Sequence, residues 1–130
     1  AGLNDFFAAK GRDYSIMISD SLRAKHCPSG GEYELGGHPI EIRDNGLAYL
    51  KGTDTIAGST LHINRGLRLL VEEALVPFDA ALNACTINPA RCLRVDDHKG
   101  RLAAGYDADL VVLEDNYDVC QTYCKGKAML

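Results

Sequence analysis

The chain has 130 residues, which is enough for one modest domain or for part of a larger one. Hydrophobic residues make up 46% and charged residues 25%, an ordinary globular composition that excludes an intrinsically disordered chain. A net charge of −4, without any dense Lys/Arg cluster, argues against a nucleic-acid-binding domain.

The cysteines indicate a reducing compartment. There are five of them, an odd number at wide spacing, and this does not fit a disulfide framework. The sequence shows no signal-peptide pattern and no apolar run long enough to span a bilayer. We therefore expect a cytoplasmic protein with neither a membrane nor a nucleic acid as its partner.

The chain begins with an expected helix tail and an expected buried strand. Residues 1–10 fit the end of a helix that Gly11 stops. Residues 14–19 (YSIMIS) form an apolar run without alternation, which is typical of a strand buried on both faces in a parallel sheet. No βαβ partner strands follow it, so the sequence resembles a barrel or sheet cut before its last strand.

Turn signals then define a small antiparallel meander at residues 32–50. Ile40 and Ile42 alternate with charged residues, so one face is predicted to be buried. Asn45-Gly46 is a strong hairpin signal between the last two strands. Residues 52–60 are predicted to form a loop, and Ser59 or Thr60 is predicted to cap the following helix.

Helical periodicity dominates the next part of the chain. An apolar stripe at helical spacing predicts an amphipathic helix, and its members are Leu67, Leu70, Val71, Ala74 and Leu75. A second stripe predicts a helix at 78–86, and its members are Phe78, Ala81, Leu82 and Cys85. Asn88-Pro89 is typical of an N-cap followed by a first-turn proline, which predicts a short helix through Leu93.

The C-terminal part is predicted to contain three strands. Residues 110–113 (LVVL) form a fully apolar run, and residues 118–123 form a second candidate strand. Gly126 turns the chain toward a short final strand at 128–130.

Asp20 is the strongest candidate for chemistry. It directly follows the predicted buried strand, and the C-terminal ends of parallel strands carry the catalytic residues of α/β barrels. A carboxylate there can accept a proton from water and pass it to a leaving nitrogen. The competing interpretation is an aspartate that merely caps a turn.

The histidines and cysteines do not form a recognisable metal motif. His26, His38, His62 and His98 show neither HxH nor HExxH spacing, and all are interpreted as surface residues, although His26 is near enough to Asp20 in sequence to line a cleft. Cys85 lies on an apolar helix face and is interpreted as a core residue.

Several stretches, in the same order, resemble the N-acetylglucosamine-6-phosphate deacetylases of the amidohydrolase superfamily. MISDS at 17–21 resembles the strand-eight motif, and the segment at 23–50 containing GEYELGG resembles the region after it. GTDTIAGST at 52–60 resembles the family's Gly-Thr-Leu-Ala-Gly-Ser loop. NPARCLRV at 88–95 and GRLAAGYDADLVVLED at 100–115 are similar to motifs that are general in the superfamily.

The resemblance implies an α/β fold. It assigns residues 1–99 to the end of a (β/α)8 metal-dependent hydrolase barrel and residues 100–130 to the C-terminal strands of a small β-sandwich. The full-length protein is then expected to be a cytoplasmic homodimer in amino-sugar catabolism that acts on an amino-sugar phosphate.

The resemblance also implies residue roles. Asp20 matches the catalytic aspartate, and Ile56, Ala57, Gly58 and Ser59 match positions beside the substrate. The divalent metal, zinc or iron, is held by residues upstream of residue 1, so this chain binds no metal firmly beyond a contact by Asp20. The chain alone is therefore expected to be inactive.

The match has two departures. Ser19 and Ser21 flank the aspartate where the family usually has threonine and alanine, and Asp54-Thr55 add a residue to the loop. Two alternatives remain open: another amidohydrolase, such as a deaminase or cyclic-amide hydrolase, or a non-catalytic α+β module.

Overall fold

The computed structural model describes residues 2–27 and 31–129. These fall into two compact units. Residues 19–62 form the first, called here the four-stranded unit. The residues before 19 and after 62 form the second, called the helix-rich unit.

The four-stranded unit is an antiparallel sheet with strands in chain order. Its strands are β1 (Glu32–Leu35), β2 (His38–Ile42), β3 (Leu47–Leu50) and β4 (Ile56–Ser59). The first three confirm the meander that alternation and the Asn45-Gly46 turn predicted. A short 3-10 helix at Arg23–His26 precedes them.

The predicted loop at 52–60 was wrong for its second half. β4 pairs with β3, with Leu47 opposite Ser59 and Ala48 opposite Gly58. Ile56 favours a strand, but the alanine and glycine that follow it do not, so the pairing with β3 decides the conformation. The register shifts between Ala48 and Tyr49, which marks a bulge next to β4.

The core of the four-stranded unit is small and confirms the alternation in β2. Its buried members are Ala24, Ile40, Ile42 and Ala48. Ile40 and Ile42 lie on the same face of β2, because side chains two apart in a strand share a face.

The described residues of the helix-rich unit form four α-helices: α1 (Gly2–Lys10), α2 (Ile63–Arg68), α3 (Phe78–Cys85) and α4 (Ile87–Cys92). A π-helical turn at Leu69–Glu73 continues α2. Gly11 ends α1 as predicted, with φ of +75° and its N–H donating to the Phe7 carbonyl at 2.8 Å. The buried core members are Phe7, Leu67, Leu70, Val76, Ala80, Ala81 and Ala84.

The amphipathic stripe on α2 was largely confirmed, but the predicted helix start was wrong. The helix begins at Ile63. Ser59 belongs to β4, and the Thr60 hydroxyl donates to the Gly46 carbonyl at 3.0 Å. Leu75, the last stripe residue, has φ of +55° and is 71% exposed, because the helix has already ended before it.

Helix α3 confirms the element predicted at 78–86, although it buries a different face. Ala81 from the predicted stripe is buried and Cys85 packs against the core, whereas Phe78 and Leu82 are exposed. The buried face is therefore shifted toward Ala80 and Ala84. Asn88 was wrongly predicted as an N-cap. It lies inside α4, with Thr86 in the cap position.

The segment at 14–19 has no regular secondary structure, so the prediction of a strand buried on both faces was wrong. Within the described residues it joins neither sheet. Burial alternates along it: Ser15 is 1% exposed, whereas Tyr14 and Ile18 are 81% and 74% exposed. A run of apolar residues in the sequence does not show which faces of the segment are buried, because burial depends on the residues that pack against it.

The predicted C-terminal strands form a three-stranded antiparallel sheet, although the last strand lies earlier than the predicted 128–130, whose final residue is outside the described residues. They are β5 (Leu110–Leu113), β6 (Val119–Cys124) and β7 (Lys127–Ala128), in that order. Lys99 Nζ lies 2.7 Å from Asp107 Oδ2 and 2.6 Å from Asp109 Oδ2, which fixes the connection before β5. Among the residues described, no helix has the length and apolar character needed to traverse a bilayer.

Candidate active site

Asp20 lies at the start of the four-stranded unit with an unusual backbone. Its φ is +47°, in the left-handed region, and its side chain is exposed. L-residues rarely adopt this region, although aspartate tolerates it better than most. The conformation turns the chain sharply just after the segment at 14–19.

Ser59 at the end of β4 holds the backbone on both sides of Asp20. Its hydroxyl donates a hydrogen bond to the Ser19 carbonyl, and its N–H donates to the Asp20 carbonyl at 2.9 Å. The N–H of Leu22 donates to the Ser59 carbonyl at 3.0 Å. The two main-chain bonds form one isolated parallel bridge between Ser21 and Ser59, directly after Asp20.

The four predicted substrate-side residues form β4. Exposure falls along the strand: Ile56 is 58% exposed, whereas Ser59 is 8% exposed. Gly58 is required by its surroundings, since φ is +142° and a Cβ there would lie 2.8 Å from Leu22 Cγ. The structure therefore brings Asp20 and Ser59 together and leaves Ile56 open to solvent.

Arg43 anchors the turn before β4. Its guanidinium lies 3.0 Å from Asp54 Oδ1 and 2.6 Å from the Thr53 carbonyl oxygen. Its Cζ also lies 3.8 Å from the centroid of the Tyr49 ring, within cation–π range. Exposed ion pairs contribute little singly, but three contacts from one side chain define the path of the chain into β4.

His26 and His62 form a pair that the sequence did not indicate. Their ring centroids are 5.5 Å apart with an interplanar angle of 69°, an edge-to-face contact. Both are exposed, as predicted, but His62 precedes α2 instead of lying in its first turn.

A small cavity in the four-stranded unit does not include Asp20. Its volume is about 60 Å³, and its lining includes Leu22, Tyr33 and Ile40. Small-molecule pockets usually measure about 300–1,000 Å³, so this cavity is too small for a sugar phosphate.

The described residues do not provide a metal cage. Across residues 2–27 and 31–129, no three His, Cys, Asp or Glu side chains are grouped closely enough to hold one ion. All five cysteines are free thiols. Cys85 packs against the helix-rich core as predicted, and burial raises the pKa of its thiol to about 11.

Sequence reasoning singled out Asp20 and the Ile56–Ser59 stretch but missed how they are connected. The hydroxyl contact joins residues 40 apart in the chain. Neither propensity nor periodicity reports a contact at that separation, so no local signal could have revealed it.

Comparison with known proteins gives the class. The Amidohydrolase family profile matches residues 21–129 of this chain. The chain belongs to the amidohydrolase family.

The curated relatives that match are more specific. N-acetylglucosamine-6-phosphate deacetylase of Bacillus subtilis is 38% identical over 120 residues, which is 92% of this chain and 30% of that protein. The enzyme of the same name from Danio rerio is 35% identical over 86% of this chain and 27% of its own length. The chain thus spans less than a third of the length of these relatives.

Solved structures agree with the sequence comparison. N-acetyl-D-glucosamine-6-phosphate deacetylase from Mycobacterium smegmatis superposes with a TM-score of 0.88 at 31% identity, over 98% of this chain and 34% of that one. An aspartate-to-alanine mutant of the Mycobacterium smegmatis enzyme, in complex with N-acetyl-D-glucosamine-6-phosphate, gives 0.86 at 32% identity, over 96% and 33%. The Pasteurella multocida enzyme shares the fold, with a TM-score of 0.87 at 23% identity, over 98% of this chain and 33% of that one.

Proposed function

We propose that the full-length protein carrying this chain hydrolyses the N-acetyl group of N-acetylglucosamine 6-phosphate, giving glucosamine 6-phosphate and acetate. The observation that carries the proposal is the agreement between sequence and structural relatives, which all bear this activity in their names. The placement of Asp20 beside β4 supports it, since both were expected at the reaction centre.

The proposed role of Asp20 is proton transfer. Its exposed carboxylate accepts a proton from the water that attacks the acetyl carbonyl carbon. The C–N bond then breaks, the same proton passes to the departing glucosamine nitrogen, and the acetyl group leaves as acetate. Ile56, exposed at the open end of β4, offers an apolar contact to the acetyl methyl, with Ala57 and Gly58 following along the strand.

A divalent metal completes the proposal, and its ligands belong to the rest of the protein. Zinc or iron is the expected ion; when bound, such an ion lowers the pKa of water from about 15.7 toward about 7. The described residues offer no group of three or more ligands for it, and a contact by Asp20 is the contribution we propose for this chain. We accordingly expect the 130-residue chain alone to release no acetate above the buffer rate.

The remaining expectations belong to the full-length protein. We propose that residues 1–99 complete a (β/α)8 barrel and residues 100–130 contribute to a β-sandwich. A homodimer in the cytoplasm, active in amino-sugar catabolism, is the expected context. The free thiols are compatible with a reducing compartment.

A substrate panel on the full-length protein tests the proposal. Acetate and free amine are measured with N-acetylglucosamine 6-phosphate, a purine or pyrimidine nucleoside and a cyclic amide. We expect turnover of the sugar phosphate at least about 100-fold above the others, since enzymes discriminate strongly between substrates that differ in their polar groups. Release of ammonia from the nucleoside would instead indicate a deaminase, and ring opening of the cyclic amide would indicate a cyclic-amide hydrolase.

A further inference from the structure

The backbone around Asp20 is held almost entirely by Ser59. The Ser59 hydroxyl donates to the Ser19 carbonyl, and the Ser59 N–H donates to the Asp20 carbonyl at 2.9 Å. The two bonded carbonyls therefore belong to the peptide groups immediately before and after the Asp20 Cα. Together they fix the two backbone torsions that aim its side chain.

Asp20 needs such a restraint because its conformation is unfavourable. At φ of +47° it is in a region that L-residues leave unless the surrounding structure holds them there. Its own side chain is exposed and does not provide that restraint. The hydroxyl of Ser59 is 40 residues away in sequence, so the restraint depends on β4 being in place.

The hydroxyl of Ser59 is already committed within the protein. A serine hydroxyl has one hydrogen to donate, and here it goes to the Ser19 carbonyl. The oxygen also accepts the Leu61 N–H at 3.2 Å, and the residue is only 8% exposed. Both facts make direct donation to a substrate unfavourable, in contrast to the open position of Ile56.

We propose that Ser59 is a positioning residue, whose hydroxyl acts on the reaction through Asp20 by holding the Ser19–Asp20 peptide in the orientation that aims the carboxylate. This inference rests on the proposed function, since it takes Asp20 to be the proton-transfer group. On this inference the Ser59 hydroxyl does not contact the substrate, and its effect on the reaction is indirect.

The primary test is Ser59→Ala in the full-length, metal-loaded protein, with Thr60→Ala as the matched control. Thr60 also donates its hydroxyl to a main-chain carbonyl, but its acceptor is Gly46 at 3.0 Å, in the hairpin turn between β2 and β3, and not a peptide group next to Asp20. We expect Ser59→Ala to lower kcat roughly 10- to 100-fold through misplacement of the carboxylate, with KM changed by less than about 2-fold. Thr60→Ala should keep kcat within about 2-fold of the unmodified protein.

A double-mutant cycle separates positioning from a direct role. If Ser59 acts through Asp20, adding Ser59→Ala to Asp20→Asn causes no further loss of the residual rate. Ser59→Thr, which retains the hydroxyl, should recover most of kcat. If Ser59→Ala fails to fold, Ser59→Cys replaces it, since a thiol is a weaker donor of similar size and an intermediate kcat is expected.

Three outcomes would overturn the inference: an unchanged kcat for Ser59→Ala or its cysteine replacement, a loss confined to KM, or a full further loss in the Asp20→Asn background.

Failure of the proposed function is recognised separately. If the unmodified protein prefers another amide, the same cycle is measured on that substrate. If Asp20→Asn keeps the normal rate, the assigned role of Asp20 fails before Ser59 is considered.

Discussion

Two polar side chains hold the main chain around residues 12–20, one in each unit, and they contrast in their consequences. In the helix-rich unit, the Asn88 side-chain amide donates to the Arg12 and Ser15 carbonyls, both at 2.8 Å. In the four-stranded unit, the Ser59 hydroxyl donates to the Ser19 carbonyl, and the Ser59 main-chain N–H donates to the Asp20 carbonyl. Each side chain satisfies a main-chain carbonyl that would accept a hydrogen bond from a neighbouring strand if its segment lay in a sheet.

Asn88 and Ser59 differ in the residues that they hold in place. Asn88 is 3% exposed and Ser15, which it holds, is 1% exposed, so this anchor belongs to packing. Ser59 holds an aspartate whose side chain is exposed and whose φ is +47°. The same kind of bond therefore stabilises the fold in one unit and, on our proposal, sets catalytic geometry in the other.

The largest expected effect is a loss of turnover on substitution of Asp20 in the four-stranded unit. Asp20→Asn in the full-length protein keeps the side-chain size but removes the proton acceptor, so turnover should fall about 10²- to 10⁴-fold. The measurement is acetate release at saturating substrate, with the thermal midpoint of unfolding as the control for folding. A variant that retains near-normal turnover would remove Asp20 from the mechanism.

The next effect concerns the strand that carries Ser59. Gly58→Ala combines an unsuitable φ of +142° with a Cβ 2.8 Å from Leu22 Cγ, so it should cost about 3 kcal/mol of unfolding free energy.

Gly52→Ala is the matched control for Gly58→Ala, since φ there is +75° but nothing lies within 4 Å of the added Cβ. It should cost only about 1 kcal/mol. Thermal unfolding of both variants makes the comparison, and equal losses would show that packing against Leu22 is unimportant.

Removal of the Asn88 side chain should have a smaller effect on stability and little effect on turnover. Asn88→Ala removes the donor from the buried Ser15 carbonyl and from the partly buried Arg12 carbonyl, and it should cost about 2 kcal/mol. The control is Asn83→Ala on α3, whose amide makes a single long contact of 3.4 Å with Asp13 and should change stability by less than about 0.5 kcal/mol. If Asn88→Ala lowered kcat of the folded enzyme as much as Ser59→Ala, the division between the two anchors would be wrong.

The smallest effect is a pH dependence in the helix-rich core. Burial raises the pKa of the Cys85 thiol to about 11, above the value of about 8.5 expected in an unfolded chain. Because the unfolded state loses this proton first, the thiol leaves stability unchanged below about pH 8.5 and lowers it as the pH rises toward about 11.

Thermal midpoints of the full-length protein and of Cys85→Ala across this pH range test the effect, and the variant should show the flatter decline. Alkylation at pH 7.5 gives a second measurement: Cys85 should react more slowly than exposed Cys92. Equal rates would show that the burial is transient.

The sequence alone determined most local elements of this protein. Alternation at Ile40 and Ile42, the Asn45-Gly46 turn and the helical spacing around Leu67 were sufficient for the meander and for α2. The apolar run before it made Asp20 a candidate, whereas residues 56–59 became candidates only through their resemblance to a family loop. These signals are local because periodicity and turn chemistry act within a few residues.

Tertiary structure decided what these elements pack against. β4 exists because β3 offers it hydrogen bonds, and Asn88 lies inside a helix because its amide satisfies carbonyls far away in sequence. The exposure of Ile18 and the left-handed turn at Asp20 depend likewise on which neighbours are present. Side-chain patterns encode how apolar a segment is, whereas its burial and its hydrogen-bond partners are properties of contacts between distant residues.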